Sequence, residues 1–600
     1  MIYVGLINFS DKYNIENELS FALQAYTHSS PTIVSKKPFT ICYGKLSIEQ
    51  DMDDVWKNES SLLLGRIFDK ARACSFGKKD YENLSNLSKE QIFEKIWGKY
   101  IYIYDNKKTC QFEIVIDSTG QLSFFYHIFP DGSILFSSDI EIIFKVLKNR
   151  PEINWTYLCS YLIYGNSSAI ETPFNSIYEL PPGCCLKIDK YGTDNRPFWD
   201  PLSPYQGSVS QGKDFVDILE ETLKQWTAPY KNICVSLSGG VDSSSLVYCL
   251  KNIKNEDQKL TAVNFFHANV KSSNELIYAR KVAQETGIKL IELDVSHSLP
   301  FDAAIKKPPL NPNKPFPGLI SLRWLENVLD NINSNGPSIL LSGQGSDHIF
   351  MCPPSKNALS DYIIEKGFKG SINQLTDITQ FFRDPYFSIL KKNVRSLCNY
   401  LFSFRPRKRS SGNTQEKPPD WIKNEVIQKT STSFMHPIYE YLPSSVLPGK
   451  YEQIDALYEA LASIHMEMHH VHPIYYPFLY RPVVEFALSF PSYDLFDKGY
   501  DRYPLRKAIS ERFKTKTIWR IDKGQTTGLF QLAIKKNMDR ILSLCLEGEF
   551  AKQGLIDTAS LHQTITFLSN GHAKDFWPFM RLASIEIFFR YWKEKYPSLP

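Results

Sequence analysis

The sequence of 600 residues predicts an α/β protein built in two parts. Two patterns carry this prediction. Residues 1 to 205 alternate short apolar runs with turn signals, which favours antiparallel strands with a few helices. From residue 206 onward, apolar runs alternate with amphipathic helical segments, which is typical of a doubly wound parallel sheet with crossover helices. We therefore expect two domains, 1–205 and 206–600.

Composition excludes several classes of function. The net charge is only +4, so nothing in it demands nucleic acid or a membrane surface as a partner. No uncharged apolar stretch approaches 18 residues, so we expect no membrane span. The 11 cysteines form no Cys-x-x-Cys pair, and the first residues lack a secretory signal pattern. These features favour a reduced, cytoplasmic protein.

The N-terminal part contains several predicted strands and one hairpin signal. Asp131-Gly132 is typical of a two-residue hairpin loop. Asp117 and Asp139 fit ordinary turn positions, so we assign them no catalytic role. The predicted strands span residues 98–104, 111–117, 123–128 and 134–139. The stretch 180–188 is predicted to be a turn followed by a strand.

The stretch 233–246 is the strongest motif in the chain. An apolar run at 233–237 predicts a buried parallel strand, and a helix is expected to start at about Ser243. Gly239 and Gly240 let the backbone approach an anion closely, and the helix N-terminus favours negative charge. Asp242 would repel a bare phosphate, so its carboxylate makes sense if Mg²⁺ lies between the two. The pattern therefore indicates a phosphate site that uses magnesium.

This stretch, Ser-Gly-Gly-x-Asp-Ser-Ser, resembles the pyrophosphate loop of the N-type ATP pyrophosphatases. It is not the Walker loop, which has Lys after its glycines. The related enzymes cleave ATP between the α and β phosphates and activate a substrate oxygen as an adenylate. An ordinary strand, turn and helix is the alternative, and seven matching positions favour the loop. The resemblance implies ATP and Mg²⁺ as cofactors and the following binding residues: Ser236, Ser238, Gly239, Gly240, Asp242, Ser243 and Ser244.

A second apolar run, 338–341, leads into another glycine turn. The turn, Ser-Gly-Gln-Gly-Ser-Asp, resembles a motif of the asparagine synthetase family. That resemblance implies that Ser342, Gly343 and Gly345 line the nucleotide pocket and that Asp347 is the second Mg²⁺ carboxylate. Two acids at adjacent strand ends suit a departing Mg²⁺–pyrophosphate. A simple capped turn is the alternative.

The N-terminal part resembles the glutaminase-type domain of the same family, which has the N-terminal nucleophile fold. In that family the mature chain begins with Cys, whose thiolate releases ammonia from glutamine. Here Ile2 follows Met1, and the nearest cysteine is the internal Cys42. Because an N-terminal nucleophile uses its own α-amine as base, Cys42 cannot substitute. We expect a domain that keeps the fold and has lost the glutaminase.

Two further segments resemble the family. In relatives of the segment 518–527, a Lys reaches the reaction centre, so the resemblance implies a catalytic role for Lys523 beside Asp242 and Asp347. The run Pro477-Phe478-Leu479-Tyr480 is similar to a Pro-Phe-Leu-Asp segment. Tyr480 replaces the Asp, so the function of that carboxylate is not expected here.

Within the family, the chain is most similar to lasso-peptide cyclases of the microcin macrolactam synthetase type. The absent glutaminase Cys, the run 345–350 and the run 496–506 carry this resemblance. It implies macrolactam formation on a lasso precursor peptide, with a leader peptidase and a leader-recognition protein as partners. β-Lactam synthetases use Tyr in the second glycine turn and asparagine synthetases have Glu there. Gln344 cannot act as a base, so neither mechanism transfers intact.

Other interpretations stay open at this stage. The chain could be an ammonia-dependent or β-lactam-type amide ligase, or a silent nucleotide-binding scaffold. His465 and His469 share a helix face, but no third ligand has supporting spacing, so packing histidines are favoured. Ser272 and Glu275 fit a helix capping box. Residues 353–450 are predicted to be less regular, with the basic stretch 405–409 as a solvated loop.

Overall fold

The fold is described from a computed structural model of the full chain. The described residues are 1–9, 16–27, 30–36, 39–44, 54–58, 60–70, 78–84, 87–107, 109, 111–165, 168–206, 214–270, 274–297, 299–302, 310–322, 326, 338–402, 417–431, 434–466, 474–521, 524 and 527–599.

The N-terminal part contains two six-stranded antiparallel sheets. The first has the order β10-β8-β9-β1-β3-β2 and the second the order β12-β11-β7-β6-β5-β4. The strands are β1 Ile2–Ile7, β2 Thr32–Lys36, β3 Phe39–Gly44, β4 Asp54–Lys57, β5 Ser61–Asp69, β6 Ile96–Asn106, β7 Gln111–Ile116, β8 Phe125–Ile128, β9 Ile134–Ser137, β10 Tyr178–Glu179, β11 Cys184–Asp189 and β12 Gly192–Pro197.

These two sheets pack face to face. Alternate residues of both sheets form a common apolar core, such as Tyr3 and Phe136 from the first sheet and Ile101 from the second. This follows from the period of two in a strand, which places every second side chain on the inner face. The outer face of the first sheet is covered by helices, including the long terminal helix Phe576–Lys595.

The C-terminal part is organised around a five-stranded parallel sheet of order β15-β14-β13-β16-β17. From β13 the chain adds β14 and β15 on one side of the sheet, and β16 and β17 then lie on the other side. The switch point is therefore between β13 and β16, which pair in parallel. In such sheets, ligands bind at this switch point, beyond the carboxyl ends of the strands. The strands are β13 Asn232–Ser236, β14 Lys259–Phe266, β15 Lys289–Asp294, β16 Ser338–Leu341 and β17 Ile474–Tyr475.

Helices cover the sheets in the described part of the chain. No helix in the described ranges is both long and apolar enough to cross a bilayer. The α-helices are Glu16–Gln24, Lys78–Leu84, Lys89–Lys95, Ile140–Leu147, Trp155–Tyr164, Ser203–Gln206, Phe215–Thr227, Val241–Ile253, Leu276–Thr286, Ser346–Ile349, Ala358–Lys366, Ser371–Phe382, Tyr386–Phe402, Asn424–Gln428, Ile438–Tyr441, Pro448–Met466, Arg481–Ser489, Tyr503–Phe513, Thr527–Lys536, Met538–Leu546, Glu549–Lys552, Thr558–Ser569 and Phe576–Lys595. Short 3-10 helices span Pro317–Ser321, Pro477–Leu479, Ser492–Asp494 and Thr517–Trp519.

The predicted fold class is confirmed, and some local predictions are wrong. The loop between β8 and β9 spans residues 129–133, so Asp131-Gly132 is part of a longer turn than a two-residue hairpin loop. The region 353–450 is more regular than predicted, because it contains three consecutive helices between Ala358 and Phe402. The basic stretch 405–409 and His469 lie outside the described residues.

The two parts of the chain meet in an aromatic cluster that includes Tyr480. Its buried ring stacks on Trp226 with centroids 4.5 Å apart and also contacts Trp97 from β6. Burial raises the pKa of the Tyr480 hydroxyl well above its ordinary value. Tyr480 is therefore part of the packing between the two parts of the chain.

A buried acid in the terminal helix makes stability depend on pH. The Glu586 carboxylate accepts the N–H groups of Glu549 and Phe550, at 2.7 and 3.0 Å, and so caps the helix Glu549–Lys552. Burial raises its pKa from 4.5 to about 7, with a further contribution from the charge of Glu549. The folded protein therefore binds a proton more tightly than the unfolded chain does between these values.

We expect Glu586→Gln to remove one component of the pH dependence of unfolding. The stability linked to the Glu586 proton is fully present below pH 4.5 and is lost as the pH rises through about 7. Relative to Glu586→Gln, the natural protein should lose about 3 kcal/mol of unfolding free energy over that range. Denaturant unfolding at several pH values measures this, with exposed Glu594→Gln on the same helix as control. Parallel profiles for the natural protein and Glu586→Gln would contradict the expectation.

Candidate active site

The first glycine turn joins β13 to the helix Val241–Ile253 at the switch point of the parallel sheet. Gly239 has a φ of +72°, and a Cβ placed there would lie 2.5 Å from the Cβ of Tyr278. Only glycine meets both constraints without strain. The helix begins at Val241, two residues earlier than predicted, with Gly240 as its N-cap. Asp242 therefore lies in the first helical turn.

Serine hydroxyls organise this turn from within. The Ser238 N–H donates to Ser243 Oγ at 3.2 Å, and the Gly240 N–H donates to Ser238 Oγ at 3.2 Å. Ser236 is half-buried at the end of β13. Ser244 Oγ is buried and has no hydrogen-bond partner within the described part of the chain. The turn is thus preorganised, and its hydroxyls are available to reorient toward a ligand.

The second glycine turn, after β16, packs directly on the first. A Cβ on Gly343 would lie 2.7 Å from the Ser243 nitrogen and 2.9 Å from the Asp242 Cβ, so this approach requires glycine. The Ser342 N–H donates to the Tyr475 carbonyl of β17 at 2.9 Å, which holds the turn on the sheet. Gly345, with a φ of +95°, fits against Leu479. Gln344, between these two glycines, is exposed to solvent.

The two predicted metal-binding acids flank this contact. Asp347 lies in the first turn of the short helix after Gly345, half-buried, and its Oδ1 is 3.1 Å from His348 Nδ1. Asp242 Oδ2 accepts a hydrogen bond of 2.7 Å from Arg502 Nη1. The charges of both Asp242 and Asp347 act on Arg502. The structure therefore packs the two turns on each other and places both carboxylates within electrostatic reach of Arg502, while their role as metal ligands stays a prediction.

Arg502 belongs to a run that carries the family resemblance, but the sequence assigns it no role in this site. Its guanidinium is only 5% exposed, and its pKa is raised because Asp242, Cys352, Asp501 and Asp347 outweigh the opposing effect of burial. Arg502 Nε also donates to Asp501 Oδ1 at 3.1 Å. The run 496–506 is noticeable as a family resemblance, but nothing local in it indicates a partner for Arg502 in the first glycine turn.

Asp501 and Arg506 form the support behind Arg502. Arg506 Nη2 donates to Asp501 Oδ1 at 2.9 Å, and the Cys352 thiol donates to Asp501 Oδ2 at 2.9 Å. Burial alone would raise the pKa of Asp501, but Arg502, the Cys352 thiol and Arg506 together hold it below its usual range. The carboxylate is therefore ionised and locks the guanidinium of Arg502 in place.

The residues present fit a magnesium ion bound with phosphates. Asp242 Oδ1 is buried and has no hydrogen-bond partner among the described residues, so one oxygen of that carboxylate can accept a cation while Arg502 occupies the other. Carboxylate oxygens are preferred Mg²⁺ ligands, and in nucleotide sites phosphates and water supply the rest. Within the described ranges, no group of three metal-ligating side chains occurs. Asp242 and Asp347 could therefore hold the ion only together with a nucleotide.

Other predicted residues take different places. Lys523 lies outside the described residues, so its catalytic role stays a prediction. The predicted capping role of Glu275 is wrong, because its side chain makes no capping hydrogen bond and the helix begins only at Leu276; Ser272 lies outside the described residues. Asp117 and Asp139 accept backbone N–H groups of their own turns, in line with a structural role. Cys42 lies buried on β3, where burial and then Glu16 raise its pKa to about 12, so its thiol is not a ready nucleophile.

Comparison with known protein families agrees with this geometry. The sequence profile for asparagine synthase matches residues 215–594, which include both glycine turns, and the profile for a glutamine amidotransferase domain matches residues 80–199. The chain belongs to the asparagine synthase family. The fold corresponds part by part to that family, with an antiparallel amidotransferase-like part followed by the parallel-sheet part that carries the pyrophosphate loop.

Individual relatives of this member of the asparagine synthase family are distant. The Microcin J25-processing protein McjC of Escherichia coli is 22% identical over 318 residues, which is 52% of this chain and 52% of that protein. The chain thus matches about half the length of this curated relative. Among solved structures, glutamine phosphoribosylpyrophosphate amidotransferase from B. subtilis complexed with ADP and GMP has a TM-score of 0.22 and 10% identity, covering 57% of this chain and 82% of the other. A likeness of that size carries no argument about function.

Proposed function

We propose that this protein is an ATP-dependent amide ligase that closes a macrolactam in a ribosomally made lasso precursor peptide. The observation that carries the proposal is the direct packing of the two glycine turns, with Asp242 and Asp347 beside the contact. Family membership supports the ligase class. The similarity to a protein named for microcin processing supports a peptide substrate.

The first step is adenylation of an Asp or Glu side chain of the peptide. A carboxylate oxygen attacks the α-phosphorus of ATP, the bond to the bridging oxygen breaks, and pyrophosphate leaves. Bound Mg²⁺ would neutralise the charge that develops on the leaving group. Asp242 and Asp347 would hold that ion, and Arg502, fixed by Asp501, can bring a guanidinium to the same phosphates. The N–H groups at the start of the helix Val241–Ile253 add a favourable dipole.

The second step is attack by the peptide's N-terminal amine on the acyl carbon of the adenylate. The carbon–oxygen bond to AMP breaks, a lactam forms, and the amine loses its proton to solvent. An unperturbed α-amine has a pKa of about 8, so a usable neutral fraction exists near neutral pH. Lys523 would donate to the oxyanion of the tetrahedral intermediate. Gln344 is exposed and has no ionisable group, so the family's acidic or phenolic group in that turn has no equivalent here.

A second function has one specific observation in its favour. The match of residues 80–199 to a glutamine amidotransferase domain would suit an enzyme that joins ammonia to the carboxylate of a small molecule and so forms a primary amide. The two functions differ in their products, because one yields a cyclised peptide and the other a free primary amide.

The test is product analysis with purified protein, ATP, Mg²⁺ and a candidate precursor peptide whose leader has been removed. A peptide product that has lost one water, with AMP and pyrophosphate in equal amount, supports the proposal. A peptide with its internal Asp or Glu changed to the amide should give no product. ADP and phosphate as products, or amidation that needs ammonia or glutamine, would overturn the proposal.

A further inference from the structure

The Glu275 carboxylate makes no hydrogen bond to the helix that follows it and instead binds the segment around 520–524. It accepts hydrogen bonds from Arg520 Nη2 and, at 3.0 Å, from the backbone N–H of Gly524. The approach is close, because a Cβ on Gly524 would lie 2.7 Å from the Glu275 Cγ. Arg520 is only 9% exposed and Glu275 19%, so the ion pair is largely shielded from solvent. We call Glu275, Arg520 and Gly524 the clasp.

The clasp lies against the first glycine turn. The Arg520 guanidinium carbon lies 3.8 Å from the centroid of the Tyr278 ring, a cation–π distance. Tyr278 is also the residue that a Cβ on Gly239 would strike. A continuous set of contacts therefore runs from the pyrophosphate loop through Tyr278 to Arg520 and on to Glu275.

The other end of the same segment is fixed independently. Arg506 Nη1 donates to the carbonyl oxygens of Arg520, at 3.0 Å, and Ile518. Thr517, one residue earlier, shares a hydrogen bond of 2.8 Å with the hydroxyl of Tyr248, which belongs to the helix that follows the pyrophosphate loop. Both ends of the stretch 517–524 are thus attached to elements of the nucleotide site.

We propose that Glu275 and Arg520 are positioning residues for the acyl-transfer step. This inference rests on the proposed function. Residue 523 is bonded to Gly524, so an anchor on the Gly524 N–H restrains the backbone next to Lys523. A charge-assisted, buried hydrogen bond is stronger than an exposed one and makes a more rigid anchor. The clasp fixes Arg520 and Gly524, on either side of the stretch 521–523, close to the pyrophosphate loop, where the acyl-adenylate would form.

The role predicts an effect on one step only. Glu275→Ala removes the acceptor for both donors, so product formation from the adenylate should slow by about 10-fold to 100-fold. Glu275→Gln keeps an oxygen for the Gly524 N–H and should restore much of that loss. Peptide-dependent ATP–pyrophosphate exchange and the KM for ATP should change less than about twofold in both variants, because the phosphate-contacting groups are retained.

The experiment combines single-turnover kinetics with hydrogen exchange on the full-length protein. In Glu275→Ala without substrate, the backbone amides of peptides covering 518–527 should exchange faster than in the natural protein, and Glu275→Gln should lie between them. The control is Glu292→Gln. Glu292 lies on β15 and forms an exposed ion pair with Arg280, which belongs to the helix that follows Glu275, so this variant should leave exchange and kinetics unchanged.

Each outcome bears on the proposal. Unchanged hydrogen exchange in Glu275→Ala would overturn the clasp itself. Faster exchange with equal losses in adenylation and acyl transfer would overturn the assignment to one step. If the natural protein makes no macrolactam, the proposed function fails, yet the exchange measurement still decides whether the clasp anchors this segment.

Discussion

The Asp347→Asn variant is expected to lose adenylate formation by about 10³-fold or more, since removing a carboxylate ligand weakens the stabilisation of departing pyrophosphate by several kcal/mol. Asn is similar in shape and lacks the charge, so the packing at the start of the helix Ser346–Ile349 should survive. Asp347 is half-buried and lies beside the contact of the two glycine turns, where the charge of the leaving group would develop. The loss should therefore appear in the first chemical step.

Peptide-dependent exchange of pyrophosphate into ATP measures this step without the later ones. The matched control is Asp294→Asn, which changes an exposed acid at the carboxyl end of β15, the edge strand of the same sheet; this acid accepts hydrogen bonds from Ser296. It should leave exchange unchanged. Exchange within tenfold of the natural rate in Asp347→Asn would remove Asp347 from the metal site. Circular dichroism and thermal unfolding of each variant show whether the fold is retained.

The Lys523→Ala variant is expected to slow macrolactam formation by about 10²–10³, the usual effect of losing one oxyanion donor. Adenylation precedes the oxyanion, so ATP–pyrophosphate exchange should persist in this variant. The measurement is single-turnover product formation alongside exchange, with exposed Lys516→Ala as control for loss of a positive charge in the same region. The two variants, Asp347→Asn and Lys523→Ala, should thus fail at different steps.

Equal loss of exchange and product formation in folded Lys523→Ala would contradict the separation of roles. Lys523 would then belong to the phosphate site, and His348 and Arg506 would be the next candidates for the ring-closing group. Arg506 already contacts Asp501 and the backbone of 518–520, so its loss should disturb Arg502 as well. A pyrophosphate-exchange defect in an Arg506 variant would therefore separate it from a purely ring-closing role.

The site also bears on how the enzyme behaves without nucleotide. Arg502 already pairs with Asp242, so the carboxylate does not face the pyrophosphate loop as an uncompensated charge. A buried carboxylate left without a partner would destabilise the loop. Arg502 thus compensates the charge of Asp242 at the proposed nucleotide site.

Local sequence patterns were sufficient for the framework and for part of the site. The strands β13 and β16 and their glycine turns were predicted because the requirements are local. An apolar run, a positive φ at Gly239 and a helix start with an acid in its first turn are all properties of neighbouring residues. The parallel order of the strands followed from the alternation of strands and helices, since crossover connections place successive strands in one sheet. These features determined the fold class and the position of Asp242 and Asp347 after their glycine turns, and the metal-binding role of the two acids stays a prediction.

The tertiary structure decided which distant groups complete the site. Arg502 pairs with Asp242 across 260 residues, and Glu275 holds Gly524 across 249, so no spacing rule could indicate either partner. Glu275 illustrates the reason. Its position just before a helix is what a capping residue would have, but the buried guanidinium of Arg520 and a backbone N–H offer its charge a stronger hydrogen-bonded environment than its own helix does. Local preference determined where the elements begin, and long-range burial determined which charges meet.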